Sequence, residues 1–304
     1  MAFSKNVKFD YFKVYATRYN KEKEVVEEIP CDLSDLFRQL QGIQVTERVY
    51  WMGDDQARLQ NLECINDKWN LHFVRIRKSD FPIITKDDGT YSYFEDFEDD
   101  EGLGEEISAL YDPSNYIIMM RRNRFSLSPT AVSNYFTSVI NEPGFNVIFR
   151  PLIHPRAVEL LRKDHLIRSA EISISDIKNA RTTTKKSLGQ ILDKAGDIKE
   201  SVNIRFKISI EPKGSKKSSR IPIYEEIEEM VNDPNVQKLE VRRKADENSS
   251  VEPVDLIQHR LVDYYQFKES DFDTQARNIL HETVISRMHT LYRKRVEEIN
   301  NTYV

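Results

Sequence analysis

Ser108-Ala109-Leu110-Tyr111-Asp112-Pro113-Ser114-Asn115-Tyr116-Ile117-Ile118-Met119-Met120 is two apolar runs around a turn. Asp-Pro-Ser-Asn is turn chemistry, because proline presets φ and the short polar side chains bond their own backbone. Apolar, β-branched and aromatic residues on both sides make a hairpin. A hairpin forces its strands antiparallel, so this stretch sets the fold class. The second run leads into Arg121-Arg122-Asn123-Arg124. Beyond it, Ser128-Pro129 opens a helix through Ile140, with proline at the first helical position.

Other segments upstream repeat the strand signal. Val7 to Tyr15 alternates aromatic and β-branched residues, and Val45–Trp51, Ala57–Ile65 and Leu71–Ile76 read as further strands. Between them Asp32 or Ser34 caps a helix to Gln41, with Leu33, Leu36, Phe37 and Leu40 on one face. Asn146–Arg150 is another strand, ending at Pro151. Downstream, short helices are predicted over 156–162, 187–195 and 223–232, and strands over 166–175, 237–243 and 256–267. Val202 to Ile210 is the cleanest alternation in the chain, with Arg205 and Lys207 opposite its apolar residues. Ser270 or Asp271 caps a last helix to about Asn300, striped by Leu280, Val284, Met288 and Leu291. The expected class is α+β: two globular domains with mostly antiparallel sheets and a long C-terminal helix, divided into 1–150 and 151–304.

Composition bounds the function. The 304 residues are 39% hydrophobic and 10% aromatic, enough for a real core. No apolar run reaches membrane-spanning length and the first residues lack a secretion signal, so a soluble cytoplasmic protein is expected. Cys31 and Cys64 form no CxxC. The net charge of −5 hides an asymmetry. Residues 1–112 carry 14 Lys and Arg against 24 Asp and Glu; the remainder is mildly basic. The 1–150 domain is therefore acidic and the 151–304 domain is where a polyanion would bind. The acidic run from Glu95 to Glu106 reads as a solvated loop, with a phosphate mimic over a basic face as the alternative; its spacing fails the Ca²⁺-loop pattern.

Catalytic signatures are missing: no GxGxxG, P-loop, GxSxG or kinase motif occurs. His281-Glu282 begins like a zinc helix but Ile285 stands where the second histidine belongs. His281 and His289, eight apart, fit a polar helix surface better than a ligand pair. No catalytic residue, metal site or cofactor is expected. The informative signal is cationic. Lys185 and Lys186 precede a predicted helix N-terminus; Lys213, Lys216, Lys217 and Arg220 lie in a Gly/Ser loop beside Arg205 and Lys207. Further basic contacts are available at Arg121, Arg122, Arg124, Arg242 and Arg243. Flexible cations among hydroxylic residues suit phosphates and position a duplex without reading its sequence. Each cluster alone is also what a solvated surface carries.

Three stretches together resemble a known group. They are Leu110 to Arg124 followed by Ser126, Ser128 and a helix; Leu188-Gly189-Gln190-Ile191-Leu192 with Gly196; and Ile204 to Lys213 running into its Lys-rich loop. In order and type they resemble an uncharacterised phage and prophage family, and more distantly the lambda exclusion protein RexA and the KwaB subunit of the Kiwa anti-phage system. The resemblance implies a homodimer that binds double-stranded DNA non-specifically in phage exclusion or abortive infection, with Arg205 to Lys217 as the carried-over segment. It also implies a membrane-protein or other host or phage partner, without direct membrane insertion. The acidic N-terminal half departs from a strongly basic DNA binder. Two other readings stay open: a phage-encoded inhibitor or sensor docking through the acidic span with Tyr91, Tyr93, Phe94 and Phe97, and a metal-dependent nuclease assembled from scattered carboxylates.

Overall fold

A computed structural model describes residues 4–20, 25–52, 55–79, 81–93, 101–154, 166–174, 204–209, 227, 230–231, 233, 236–244, 251–273 and 278–303. In chain order the elements are β1 (Ser4–Asn20), β2 (Val25–Pro30), α1 (Ser34–Gln41), β3 (Val49–Met52), β4 (Asp55–Ile65), β5 (Lys68–Arg77), β6 (Ile84–Thr85) and β7 (Tyr91–Ser92). Then come β8 (Leu103–Asp112), β9 (Ile117–Arg121), α2 (Pro129–Ile140), β10 (Phe145–Pro151), β11 (Leu166–Ile174), β12 (Ile204–Ser209), β13 (Val236–Lys244), β14 (Glu252–Asp255), β15 (Val262–Lys268) and α3 (His281–Tyr303). The class is α+β: a large antiparallel sheet, strand-rich throughout, with a long C-terminal helix. The predicted helices over 156–162 and 187–195 lie outside the described residues.

Two compact units emerge, each discontinuous in sequence. One comprises 1–9, 14–148 and 263–296; the other comprises 10–13, 149–262 and 297–304. Most of the large sheet, ordered β10-β1-β9-β8-β5-β4-β3 with β2 and β15 also paired to β1, lies in the first. The β8–β9 hairpin forms as its sequence requires, pairing Ala109 with Met120 and Asp112 with Ile117. Asp112 Oδ1 accepts from the backbone N–H and hydroxyl of Ser114, at 3.0 and 2.7 Å. Tyr116 takes φ +60°, an unusual value for a bulky residue, and its carbonyl accepts from Val14 N–H at 2.8 Å. Where β8 begins, a Cβ on Gly102 would lie 2.6 Å from Arg77 O, so the strand can approach β5 there only without a side chain.

Alternation divides β5 and β8 into two faces. Trp69, Leu71 and Phe73 pair with Tyr111, Ala109 and Ile107 on one face. This face meets α1 and α2 through Phe37, whose ring lies 5.4 Å from Trp69, 5.5 Å from Tyr111 and 5.4 Å from Phe136. Ser128 caps α2 by accepting from Ala131 N–H, with Pro129 following, as predicted. Burial of Phe37, Phe73, Tyr135 and Phe136, all fully covered, supplies most of the apolar drive here. The opposite face carries Asn70, His72, Ser108 and Asp112, and α3 covers it. α3 begins at His281, ten residues later than predicted. The Ser270/Asp271 cap signal instead closes a single 3₁₀ turn, Glu269–Asp271.

The second unit contains the sheet β12-β11-β13-β14. Ala170, Ile172 and Ile174 on β11 are buried together with Leu239 and Val241 on β13 and Val254 on β14. Ile227, Met230 and Val231, within the predicted 223–232 helix, are helical and buried. The 3₁₀ turn Ile257–His259 interrupts the segment predicted as one strand over 256–267. Arg260 is buried just after it. Its guanidinium donates to Val231 O at 2.7 Å, Asp233 O at 2.7 Å and Val236 O at 2.9 Å. Three carbonyls at a helix end and strand start thus share one cation, which a guanidinium fork suits and an ammonium does not. Arg260→Ala is expected to destabilise the protein by roughly 3 kcal/mol, and Arg260→Lys by more than half of that. Urea unfolding of the purified variants checks both values.

Candidate functional site

The cations predicted from sequence divide into three groups. Lys185, Lys186, Lys213, Lys216, Lys217 and Arg220 lie outside the described residues. Arg121, Arg122 and Arg124 belong to the first unit. Arg121, ending β9, is 4% exposed; Arg122 is half-buried, its backbone N–H bonding Lys8 O; Arg124 is exposed, its guanidinium 4.5 Å from the Phe125 ring centroid. Arg205, Lys207, Arg242 and Arg243 belong to the second unit's sheet.

That sheet brings several of them to one face. Antiparallel pairing sets Arg205 opposite Ser173 and Lys207 opposite Glu171. On the next strand Ser173 faces Lys238, Glu171 faces Glu240 and Ser169 faces Arg242. Glu240 in turn faces Asp255 of β14. Lys238 is tied to Glu171 at 2.6 Å and to Glu240 at 3.6 Å, and Arg242 Nε lies 3.3 Å from Glu240. The Lys238 ammonium holds the Glu171 carboxyl below its ordinary range, with Arg205 and Lys207 adding to the effect. The inner strands are thus close to charge balance, while the two β12 cations are exposed at the sheet's edge. Arg243 pairs through its backbone with Ile167 and Glu252.

A second cluster of titratable groups lies beneath α3 in the first unit. The rings of His72 and His281 stack, centroids 4.3 Å apart and 6° from parallel. His281 Nδ1 shares a hydrogen bond with Ser108 Oγ at 2.8 Å. His72 Nε2 lies 3.3 Å from Glu106 Oε1, within ion-pair reach but off hydrogen-bond geometry. Asn278 Nδ2 donates to the other Glu106 oxygen at 3.4 Å. The proximity of His72 lowers the Glu106 carboxyl more than burial raises it. Burial, reinforced by the neighbouring imidazole of His72, pushes His281 down to about 4. Arg121 sits near both Glu105 and Glu106, and its Nη1 has no hydrogen-bond partner among the described residues. Burial and then Arg121 lower the Lys5 ammonium.

Further along α3, His289 Nε2 meets Asn70 Oδ1 at 2.8 Å and Asn115 Nδ2 donates to Tyr292 Oη at 3.0 Å. Arg295 donates to Asp263 at 2.8 and 3.1 Å. Lys68, 5.7 Å from the Tyr292 ring centroid, pairs with Asp112 at 3.1 Å. The predicted solvent-facing histidines are therefore packed against a sheet. The sequence signal was present in β5, where Asn70 and His72 fall on one face, interleaved with Trp69, Leu71 and Phe73 on the other. Helical spacing cannot distinguish a polar stripe facing water from one facing buried polar partners.

The cluster is a buried polar network of two imidazoles, a hydroxyl and a carboxylate. Ser108 is 1% exposed, so its hydroxyl has no route to an external substrate. Among the described residues, no group of three or more His, Cys, Asp or Glu is arranged to hold a metal ion. Nor does any helix among them have the length and apolarity to cross a membrane.

A protein-family profile described as a family of unknown function (DUF6731) matches residues 2–300. No curated protein matches the chain. The pins under α3 make a direct prediction. Tyr292→Phe removes the bonds to Asn115 but keeps the ring, and should cost on the order of 2 kcal/mol. Chemical denaturation, with the far-ultraviolet spectrum confirming an intact fold, measures it.

Proposed function

Because the chain belongs to DUF6731, a family of unknown function, its own geometry must carry the reading, and we propose a non-enzymatic protein that binds double-stranded DNA without sequence preference. The observation that carries this is the β12 edge: Arg205 and Lys207 are exposed, lie on one face, and continue in sequence into Lys213, Lys216, Lys217 and Arg220. Non-specific duplex binding needs cations whose charge is not consumed by neighbouring carboxylates. Glu171, the carboxylate opposite Lys207, is already paired with Lys238, and Arg205 and Lys207 stay exposed on the outermost described strand. The resemblance to RexA and KwaB supplies the setting for this reading, a cytoplasmic homodimer in phage exclusion or defence.

A second reading, docking on another protein, is favoured by one feature of the first unit. Tyr91 and Tyr93 are each 61% exposed, with rings 5.8 Å apart, on a two-stranded hairpin whose Ile83 and Ile84 are also exposed. Exposed paired tyrosines are what protein interfaces favour.

Fluorescence anisotropy with a labelled random-sequence duplex across a salt series separates the two. For Arg205→Glu/Lys207→Glu, duplex affinity is expected to fall at least about 10-fold at low salt. The slope of log affinity against log salt should become shallower by about 2, one released counterion per lost contact. Unchanged affinity and slope would leave protein docking as the better reading.

A further inference from the structure

We propose that the stacked His72–His281 pair is a proton-operated latch: taking up a proton there releases the first turns of α3 from the sheet. This goes beyond the DNA-binding reading and does not depend on it. His281 is the first residue of α3 and is 6% exposed. Its ring is held by Ser108 of β8 at 2.8 Å and by the stack on His72 of β5 at 4.3 Å.

Every neighbouring element contributes a charge. β8 supplies Glu106 and β9 supplies Arg121, both acting on His281, while Lys5 of β1 and Glu105, on the other face of β8, lie near Arg121. On α3 itself Glu282 follows, exposed, and Asn278 precedes, bonding Glu106. With neutral imidazoles, one cation, Arg121, faces one carboxylate, Glu106, at His281. A proton on His281 makes the positive side heavier in a place with little spare acceptor capacity, since Arg121 already has an Nη1 without a hydrogen-bond partner among the described residues. The positive end of the α3 dipole opposes the same proton. Release lets the imidazolium reach water, so charging and undocking are coupled.

The sign follows from the direction of the shift. His281 is lowered to about 4 when packed, whereas a released histidine titrates near 6.5. The released form binds more protons across that interval. The latch is therefore at full strength above about pH 6.5 and weakens as pH falls towards 4. Glu106, lowered in the packed state, adds loss in the same direction at still lower pH.

The test uses the full-length chain with isotope-labelled histidine, following ring protonation by NMR and amide hydrogen exchange along α3. In the wild type, opening of residues 281–288 should rise roughly 20-fold between pH 7 and pH 5 after correction for intrinsic exchange. Residues 299–303 should show no such rise. His281→Asn places an amide near the position of Nδ1, retaining a partner for Ser108 without a titrating ring; its rise should fall below about 3-fold. The latch is ruled out if His281 titrates near pH 6.5 while 281–288 stays protected, or if His281→Asn keeps the full pH dependence. Should His281→Asn fail to fold, the wild-type ring titration set beside its exchange decides the matter.

Discussion

One face of the large sheet is built from residues that cannot be left dry and unpaired. Asn70, His72, Ser108 and Asp112 stand where an apolar face would be the simpler choice, and α3 covers them. Each buried polar group without a partner costs roughly 1–3 kcal/mol. The helix answers with side chains at matched intervals: His281 to Ser108, His289 to Asn70, Tyr292 to Asn115, and Arg295 to Asp263 of β15. Rotating the helix by one residue, about 100°, would break all of these bonds at once. An apolar stripe tolerates such a slip because dispersion is non-directional; hydrogen bonds do not. The polar face therefore fixes the rotation and register of α3 on its sheet, while Val284 and Met288, both fully buried, add apolar area.

The other face of the same strands works differently. Phe37 touches Trp69, Tyr111 and Phe136, and Tyr135 packs edge-on against Tyr50 and Phe73 at 5.0 and 5.2 Å. Edge-to-face packing of this kind adds modest directionality to a large area term. Even here the polar tips are anchored: Tyr111 Oη accepts from Leu33 N–H and reaches Asp32, and Tyr135 donates to Arg48 O. β8 is the strand both faces share, which explains why its ten residues are buried from Ile107 onward. Area drives the α1/α2 layer, and bond matching drives the α3 layer.

This contrast explains what could be read in advance. Period-2 alternation with local turn chemistry revealed the β8–β9 hairpin, and Ser128-Pro129 revealed α2, because both signals lie within a few residues. The exposed pair Arg205 and Lys207 was legible for the same reason. The start of α3 was not. Asp271 accepts from Lys268 N–H, behind it, as the third residue of a 3₁₀ turn rather than as the cap of a following helix, and that turn stops at once. The histidine cluster was not legible either, since His72, Ser108 and His281 are joined across 173 positions of sequence between the last two. Nor could the chain advertise that Arg121 differs from Arg124: both belong to one basic run, yet one side chain is buried and the other exposed.

The charge pattern of the second unit's sheet rests on a related distinction. A cationic edge strand has a purely structural use, because charged side chains discourage edge-to-edge pairing with other sheets. That use is indifferent to sign: carboxylates guard an edge as well as ammonium groups do. On β12 the exposed charges are both positive, the carboxylates Glu171 and Glu240 are kept to the inner strands, and the far strand β14 contributes Asp255. Edge protection alone gives no reason for β12 to expose only cations while the inner strands mix Lys238 and Arg242 with Glu171 and Glu240. Attraction of a polyanion does, because its field adds over neighbouring cations and is cancelled by an interleaved carboxylate. The sign of the exposed β12 charges, rather than the mere presence of charge, is what the proposed nucleic-acid binding rests on.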